Sequence, residues 1–232
     1  MKKIGIIGAM EQEVDTLKSR MADVKITAKA GMEFYEGRLN GTDTVVVRCG
    51  IGKVHAAMCV QALCDLFSVT HIVNTGIAGS LDEKLDIGDI LVSVDAVQHD
   101  FDVTVFGYAK GQVAGTELRE FVADPCMVQC ALDACAGLTP SVNAKAGRVV
   151  SGDQFICDKA VKDALVAEYE AQCTEMEGAA IAQAAWRNGV PFVILRAISD
   201  KADGSAEMDY PTFERMAAEV SARLAEALCG RI

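Results

Sequence analysis

The sequence predicts an α/β fold, a single three-layer domain over residues 1–232 with a mixed central β-sheet flanked by helices. Two observations predict it. Runs rich in Val and Ile alternate with stretches of helical spacing, and those runs are continuously apolar, as strands covered on both faces are. Several of the runs also end in glycine-rich turns.

Lys3–Gly8 reads as the first strand, followed by a turn and the acidic start of a helix near Glu11. Thr44–Cys49 (TVVVRC) is a second strand, closed by Gly50-Ile51-Gly52, with a helix from Lys53 to about Phe67. His71–Thr75 is a strand ending in Gly76-Ile77-Ala78-Gly79, and further strands are expected at Asp89–Val97, Lys145–Val150 and Pro191–Ile198. An Ala-rich helix runs from Glu177 to Asn188 and stops at Gly189. From Tyr210 onward, Phe213, Met216, Ala217, Val220, Leu224 and Leu228 make one apolar stripe, with Asp209 and Pro211 as cap and first-turn residues. No internal repeat, low-complexity tract or Pro/Ser linker divides the chain.

Composition narrows the function. With 232 residues and 51% hydrophobic content, the chain is long enough to bury a sizeable core. A net charge of −11 argues against a nucleic-acid surface, which needs concentrated Lys and Arg. No segment approaches the roughly 20 apolar residues of a membrane helix, and the apolar run Ile4–Met10 is too short for a signal peptide. Nine cysteines without a CxxC pair, beside three scattered histidines, do not make a zinc site. Cys126, Cys130 and Cys135 fall in an apolar helical stretch and read as buried free thiols, so a cytoplasmic, reducing location is expected.

Ligands in open α/β sheets bind beyond the carboxyl ends of strands, so the turns at 8–13, 50–53, 76–80, 151–155 and 199–204 are expected to share one site. Neither a complete G-x-G-x-x-G nor a phosphate-loop spacing is present. Glu11 and Glu13 either complement a helix dipole or supply a general base. Glu175 and Glu177, two residues apart, cannot share a helical face, so at most one is expected to point inward. Asp200, just past an apolar strand, is either a helix cap or a desolvated carboxyl suited to proton donation.

Seven motifs in order then carry a resemblance over nearly the whole chain. They are Gly5-Ile6-Ile7-Gly8-Ala9-Met10-Glu11-Gln12-Glu13, Gly50-Ile51-Gly52-Lys53-Val54, Asn74-Thr75-Gly76-Ile77-Ala78-Gly79, His99-Asp100 with Asp102-Val103-Thr104 and Phe106-Gly107-Tyr108, Ser151-Gly152-Asp153-Gln154-Phe155-Ile156, Glu175-Met176-Glu177-Gly178-Ala179-Ala180, and Arg196-Ala197-Ile198-Ser199-Asp200. The sequence resembles the 5′-methylthioadenosine/S-adenosylhomocysteine nucleosidases of the nucleoside phosphorylase superfamily.

The resemblance implies a nucleoside phosphorylase-like fold and hydrolysis of an adenine nucleoside through a cationic ribose. Asp200 would protonate adenine N7 with Ser199 supporting its carboxyl, Glu13 would activate water, and Glu177 would hold ribose hydroxyls. Phe155 would lie against the base, the main chain of Ile156 would read its edge, and Met176 would pack on the ribose beside Glu175. Met10, Ile51, Val103, Phe106 and Phe213 would surround the 5′ substituent, and Tyr108 would reach a neighbouring subunit's pocket in a homodimer. No metal or organic cofactor is implied. Four positions depart from the pattern: Ile77 for a hydroxyl residue, Gln12 for an acid, Ala114 for a proline and Tyr210 for a phenylalanine. Phosphorolysis, as in purine nucleoside phosphorylases, and cleavage of aminodeoxyfutalosine are the rival activities; a non-catalytic nucleoside-binding module is the rival class.

Overall fold

A computed structural model describes residues 2–138, 142–203 and 206–232. Ten strands form one mixed sheet: β1 (Ile4–Gly8), β2 (Ala22–Lys29), β3 (Met32–Leu39), β4 (Thr42–Arg48), β5 (His71–Ser80), β6 (Ile90–Gln98), β7 (Phe121–Val122), β8 (Ala144–Ser151), β9 (Cys173–Glu175) and β10 (Phe192–Asp200). The helices are α1 (Glu11–Arg20), α2 (Lys53–Phe67), α3 (Pro125–Cys135), α4 (Lys159–Tyr169), α5 (Gly178–Arg187) and α6 (Ala206–Cys229).

β1 lies between β4 and β5, parallel to both, with Ile6 opposite Val46 and Val73. All five residues of β1 and all nine of β10 are buried, as the apolar run of β1 and the largely apolar run of β10 predict. One core cluster packs α2 and α5 against one face of the sheet through Cys59, Leu63 and Ile181. A second packs α1, α3 and α6 on the other through Leu17, Met127 and Leu224. The expected layering is therefore observed. Less expected is the closure: β5 pairs with both β9 and β10, so β10, β6, β8, β9 and β5 form a ring at one end of the sheet.

The structure corrects several boundaries. β5 does not stop at Thr75 but continues to Ser80, because the small residues of Gly76–Gly79 let it pair with β10 on one side and β9 on the other. β2 gave no apolar signal because it is solvent-exposed along almost its whole length, whereas its hairpin partner β3 buries Met32, Phe34 and Leu39. Helix α6 begins at Ala206, so Asp209 and Pro211 lie inside it rather than at its start. Its buried face is carried by Ala217, Ala218, Ser221, Leu224, Ala225 and Leu228, while Met216 is 46% exposed. Of the three cysteines on α3, Cys135 is buried, Cys130 partly so, and Cys126 exposed.

Small residues on α6 allow it to approach β5 and β10 closely, and a polar contact fixes the join. The buried Ser221 hydroxyl accepts the Gly76 N–H at 3.0 Å and lies 2.8 Å from the Thr75 hydroxyl. Replacing Ser221 by Ala leaves a buried amide without its partner. Such a loss costs about 1–3 kcal/mol, so Ser221→Ala is expected to unfold at lower urea concentration with an unchanged native circular-dichroism spectrum.

Candidate active site

The carboxyl ends of β1, β5, β9 and β10 and the turns after β4 and β8 converge on one cleft, about 560 Å³ with the open solvent at its mouth included. Its walls include Met10, Glu13, Ile51, Ile77, Phe155, Glu177 and Asp200, so the five stretches expected to share a site do meet there, 76–80 as part of β5 rather than as a turn.

Glu13 sits in the first turn of α1, and its carboxylate folds back over the helix's own start. Oε2 accepts the N–H groups of Ala9 at 2.6 Å and Met10 at 2.9 Å, and Oε1 accepts the Ile77 N–H at 3.1 Å. Both readings of this acid therefore meet in one residue: it complements the helix terminus and it faces the cleft. Glu11 is exposed and pairs with Lys18 at 2.8 Å. Burial raises the pKa of Glu13 above the usual carboxylate value, opposed by the Arg196 charge and by the three amides.

Glu175 and Glu177 are both buried, contrary to the expectation that one would face solvent. The helical-face argument fails because Glu175 ends β9, and α5 begins only at Gly178. Glu175 accepts the N–H groups of Glu177 at 3.1 Å and Gly178 at 2.8 Å, the Ser151 hydroxyl and the Arg196 guanidinium. Glu177 accepts the Gly52 N–H at 2.7 Å. Burial, reinforced by the Glu175 charge and opposed by Arg196, pushes its pKa up to about 8.

The turn that supplies the Gly52 N–H is itself held. The neighbouring Lys53 N–H donates to Asp153 Oδ1 at 2.9 Å, and Lys53 Nζ reaches Asp100 Oδ1 at 2.5 Å. Asp100 Oδ2 accepts the Asp153 N–H at 2.9 Å, so the loop bearing Phe155 and the turn bearing Gly52 are tied together. Gly52 has a φ of +99°, which an L side chain rarely adopts.

Asp200 is 2% exposed and ends β10 as a strand residue, six positions before α6 begins, so it is not that helix's cap. Its Oδ1 accepts the Ala202 N–H at 2.7 Å and its Oδ2 the Ser199 hydroxyl at 2.9 Å. Beneath the acids lies Arg196, 1% exposed, paired with Glu175 and donating to Asn74 Oδ1 at 2.6 Å. Burial opposes its charge, but Glu175, Glu13 and Glu177 outweigh burial and raise its pKa.

Of the remaining residues named from the sequence, Ile77, Ile156, Met176 and Ser199 line the cleft. Val103, Phe106, Tyr108 and Phe213 do not: Phe106 is 77% exposed and the other three are partly buried elsewhere. Ala114 is exposed. Three cleft features escaped the sequence reading. Tyr210 contacts Phe155 edge-to-face at 5.4 Å and Met10 Sδ at 3.3 Å. Thr174 lies in the wall, and Arg196 is buried under it. A charged residue in the middle of an otherwise apolar strand was the available signal for Arg196.

A group whose folded pKa is raised holds its proton in the native protein across the window in which the unfolded chain has lost it. For Glu177 that window runs from the ordinary value of 4.5 to about 8, and its contribution to stability declines as pH rises through it. Glu177→Gln carries no such charge, so its Tm relative to the parent is expected to climb between pH 5 and pH 8. Each kcal/mol relieved is worth about 2–4 °C at this size; a difference constant with pH would contradict the assignment. Gly76 gives a sharper geometric test. A methyl group there would collide with the Arg196 guanidinium and sit 2.5 Å from Glu13 Oε1, so Gly76→Ala is expected to abolish the site's activity in any assay that detects it.

The Phosphorylase superfamily profile matches residues 3–230. A 5′-methylthioadenosine/S-adenosylhomocysteine nucleosidase of Halalkalibacterium halodurans is 42% identical over 234 residues, covering 100% of both chains. The crystal structure of such a nucleosidase from Colwellia psychrerythraea, in complex with adenine, superposes with a TM-score of 0.96 at 38% identity, covering 99% of this chain and 95% of that one. The native structure of futalosine hydrolase of Helicobacter pylori gives a TM-score of 0.94 at 32% identity, covering 100% of this chain and 98% of that one. The chain therefore belongs to the 5′-methylthioadenosine/S-adenosylhomocysteine nucleosidase family of the phosphorylase superfamily.

Proposed function

We propose that the chain, as one nucleosidase domain, hydrolyses the N-glycosidic bond of 5′-methylthioadenosine and S-adenosylhomocysteine, releasing adenine and the 5′-thio-ribose. The observation that carries this reading is the convergence of three buried carboxyls, Glu13, Glu177 and Asp200, on one largely apolar cleft. Family kinship with nucleosidases supports it.

The chemistry follows from the charges. The N9–C1′ bond breaks toward an oxocarbenium-like ribose while adenine accepts a proton at N7 from Asp200. Ser199 and the Ala202 amide orient that carboxyl. Glu13 takes a proton from water as its oxygen bonds to C1′, and a pKa raised by burial makes its carboxylate a stronger base. Glu177 holds the ribose hydroxyls. Burial disfavours its ionised form, so the cationic sugar strengthens that interaction as the transition state is approached. Phe155 and Tyr210 cover the base, and Met176 packs on the sugar.

Phosphorolysis fits this wall poorly. Glu13 and the Ile77 side chain stand where an anion would need cations and hydroxyls, and Arg196 is already engaged by Glu175. Like unit charges 4 Å apart repel by about 4 kcal/mol at an effective dielectric constant of 20. Adenine release from methylthioadenosine, followed by chromatography, is expected to proceed undiminished in phosphate-free buffer; strict phosphate dependence would overturn the hydrolytic reading. Asp200→Asn is expected to lower kcat about 10²–10⁴-fold with the fold intact, whereas an inert binding module has no turnover to lose. Comparing kcat/KM for the two thioether nucleosides, deoxyadenosine and aminodeoxyfutalosine ranks the substrates.

The exposed apolar side chains support a homodimer. Ile51 in the cleft wall, Val54 and Met58 on α2, and Val105 and Phe106 in the segment after β6 are 45–84% exposed. A partner covering them brings Val103, Phe106 and Tyr108 toward a 5′ substituent that one chain leaves open. A light-scattering mass equal to one 24.6 kDa chain would refute this arrangement. Among the described residues no helix is long and apolar enough to cross a membrane. The nine unpaired cysteines support a cytoplasmic location.

A further inference from the structure

Three hydroxyl-bearing side chains line the cleft: Thr174, Ser199 and Tyr210. Ser199 donates to Asp200 and Tyr210 contacts Met10 Sδ. Thr174 is 5% exposed, and its Oγ1 has no hydrogen-bond partner among the described residues. A hydroxyl buried without a partner destabilises a fold, and a methyl group would occupy the same space without that penalty. An unpartnered hydroxyl on a residue that lines a binding cleft points to a bond made with the ligand.

The strand register says which part of the ligand. Thr174 on β9 pairs with Gly79 on β5, and Gly79 pairs with Asp200 on β10. Thr174 and Asp200 thus flank a glycine, with α-carbons about 10 Å apart at the usual strand spacing. A methyl at Gly79 would lie 2.8 Å from Asp200 Oδ1, so the absence of a side chain keeps this gap clear. In adenine, N7 and N3 lie on opposite sides of the bond to ribose. If Asp200 serves N7 and the Ile156 main chain serves the outer edge, N3 is the ring acceptor left over. It lies on the sugar side of the base, as Thr174 lies two residues from Met176 and three from Glu177.

We propose that the Thr174 hydroxyl is a base-reading contact that donates a hydrogen bond to adenine N3, an assignment resting on the nucleosidase reading. The bond strengthens as electron density moves into the departing ring, so it assists cleavage as well as recognition.

The test compares the parent, Thr174→Val and Thr174→Ser on methylthioadenosine and on its 3-deaza analogue, in which C–H replaces N3. With methylthioadenosine, Thr174→Val is expected to lose roughly 3- to 10-fold in kcat/KM, and Thr174→Ser to keep most of it. With the 3-deaza analogue, Thr174→Val and the parent should react at equal rates. The empty Thr174→Val protein should also melt no lower than the parent, which separates loss of a ligand contact from loss of packing. Unchanged kcat/KM for Thr174→Val on methylthioadenosine, or an equal loss on both compounds, would overturn the proposal. A parent enzyme that leaves methylthioadenosine intact would instead overturn the nucleosidase reading beneath it.

Discussion

One buried cation organises the site. Arg196 is buried on β10, and Glu13, Glu175 and Glu177, from α1, the end of β9 and the start of α5, act on its charge. An isolated charge at such depth would be too costly to keep, so the fold retains Arg196 only with its acids, and the acids only with Arg196. One arginine cannot neutralise three carboxylates. Burial raises the pKa of Glu13 and, reinforced by the Glu175 charge, that of Glu177, while Glu175 takes the direct ion pair. A sugar that becomes cationic would favour the ionised forms of these carboxyls.

The rest of the local architecture keeps those carboxyls in place. Gly76 leaves room for Arg196 and Glu13 on the strand between them, and Ser221 of α6 holds that strand from behind. Main-chain amides restrain Glu13, Glu175 and Glu177, and amides cannot rotate away as side chains do. The Lys53–Asp100–Asp153 network ties the base-side loop to the turn whose amide holds Glu177, so the two halves of a nucleoside would be gripped by one connected frame. Preorganised groups of this kind need not reorganise when charge develops.

Closure of β5 onto β9 and β10 has a second consequence. A strand that ended at Thr75 would have delivered a flexible glycine turn to the cleft. Continued pairing through Ser80 instead sets Ile77, Gly79, Thr174 and Asp200 in fixed register. The cleft floor is thus sheet rather than loop, and its spacing is set by backbone hydrogen bonds. Phe155 and Tyr210, on the loop after β8 and on α6, supply the cover.

Much of this was legible in the chain because apolar runs and glycine turns report local physics. Strands β1, β4, β5, β6, β8 and β10, the helices α2 and α5, and the convergence of strand ends all follow from periodicity and turn residues. The exposed strand β2 lacked that signal, and the true start of α6 was hidden by a proline that invites reading as a first turn. Sequence could mark Glu13, Glu177 and Asp200 as acids at strand ends, but not that Glu175 is buried as well. That depended on where β9 stopped and α5 began, and on an arginine reaching it from another strand. Single residues fix their own backbone preferences. Which carboxyl meets which cation, and which hydroxyl is left without a partner, is decided by long-range register, because those interactions join residues as far apart in the chain as Glu13 and Arg196 and no local pattern encodes them.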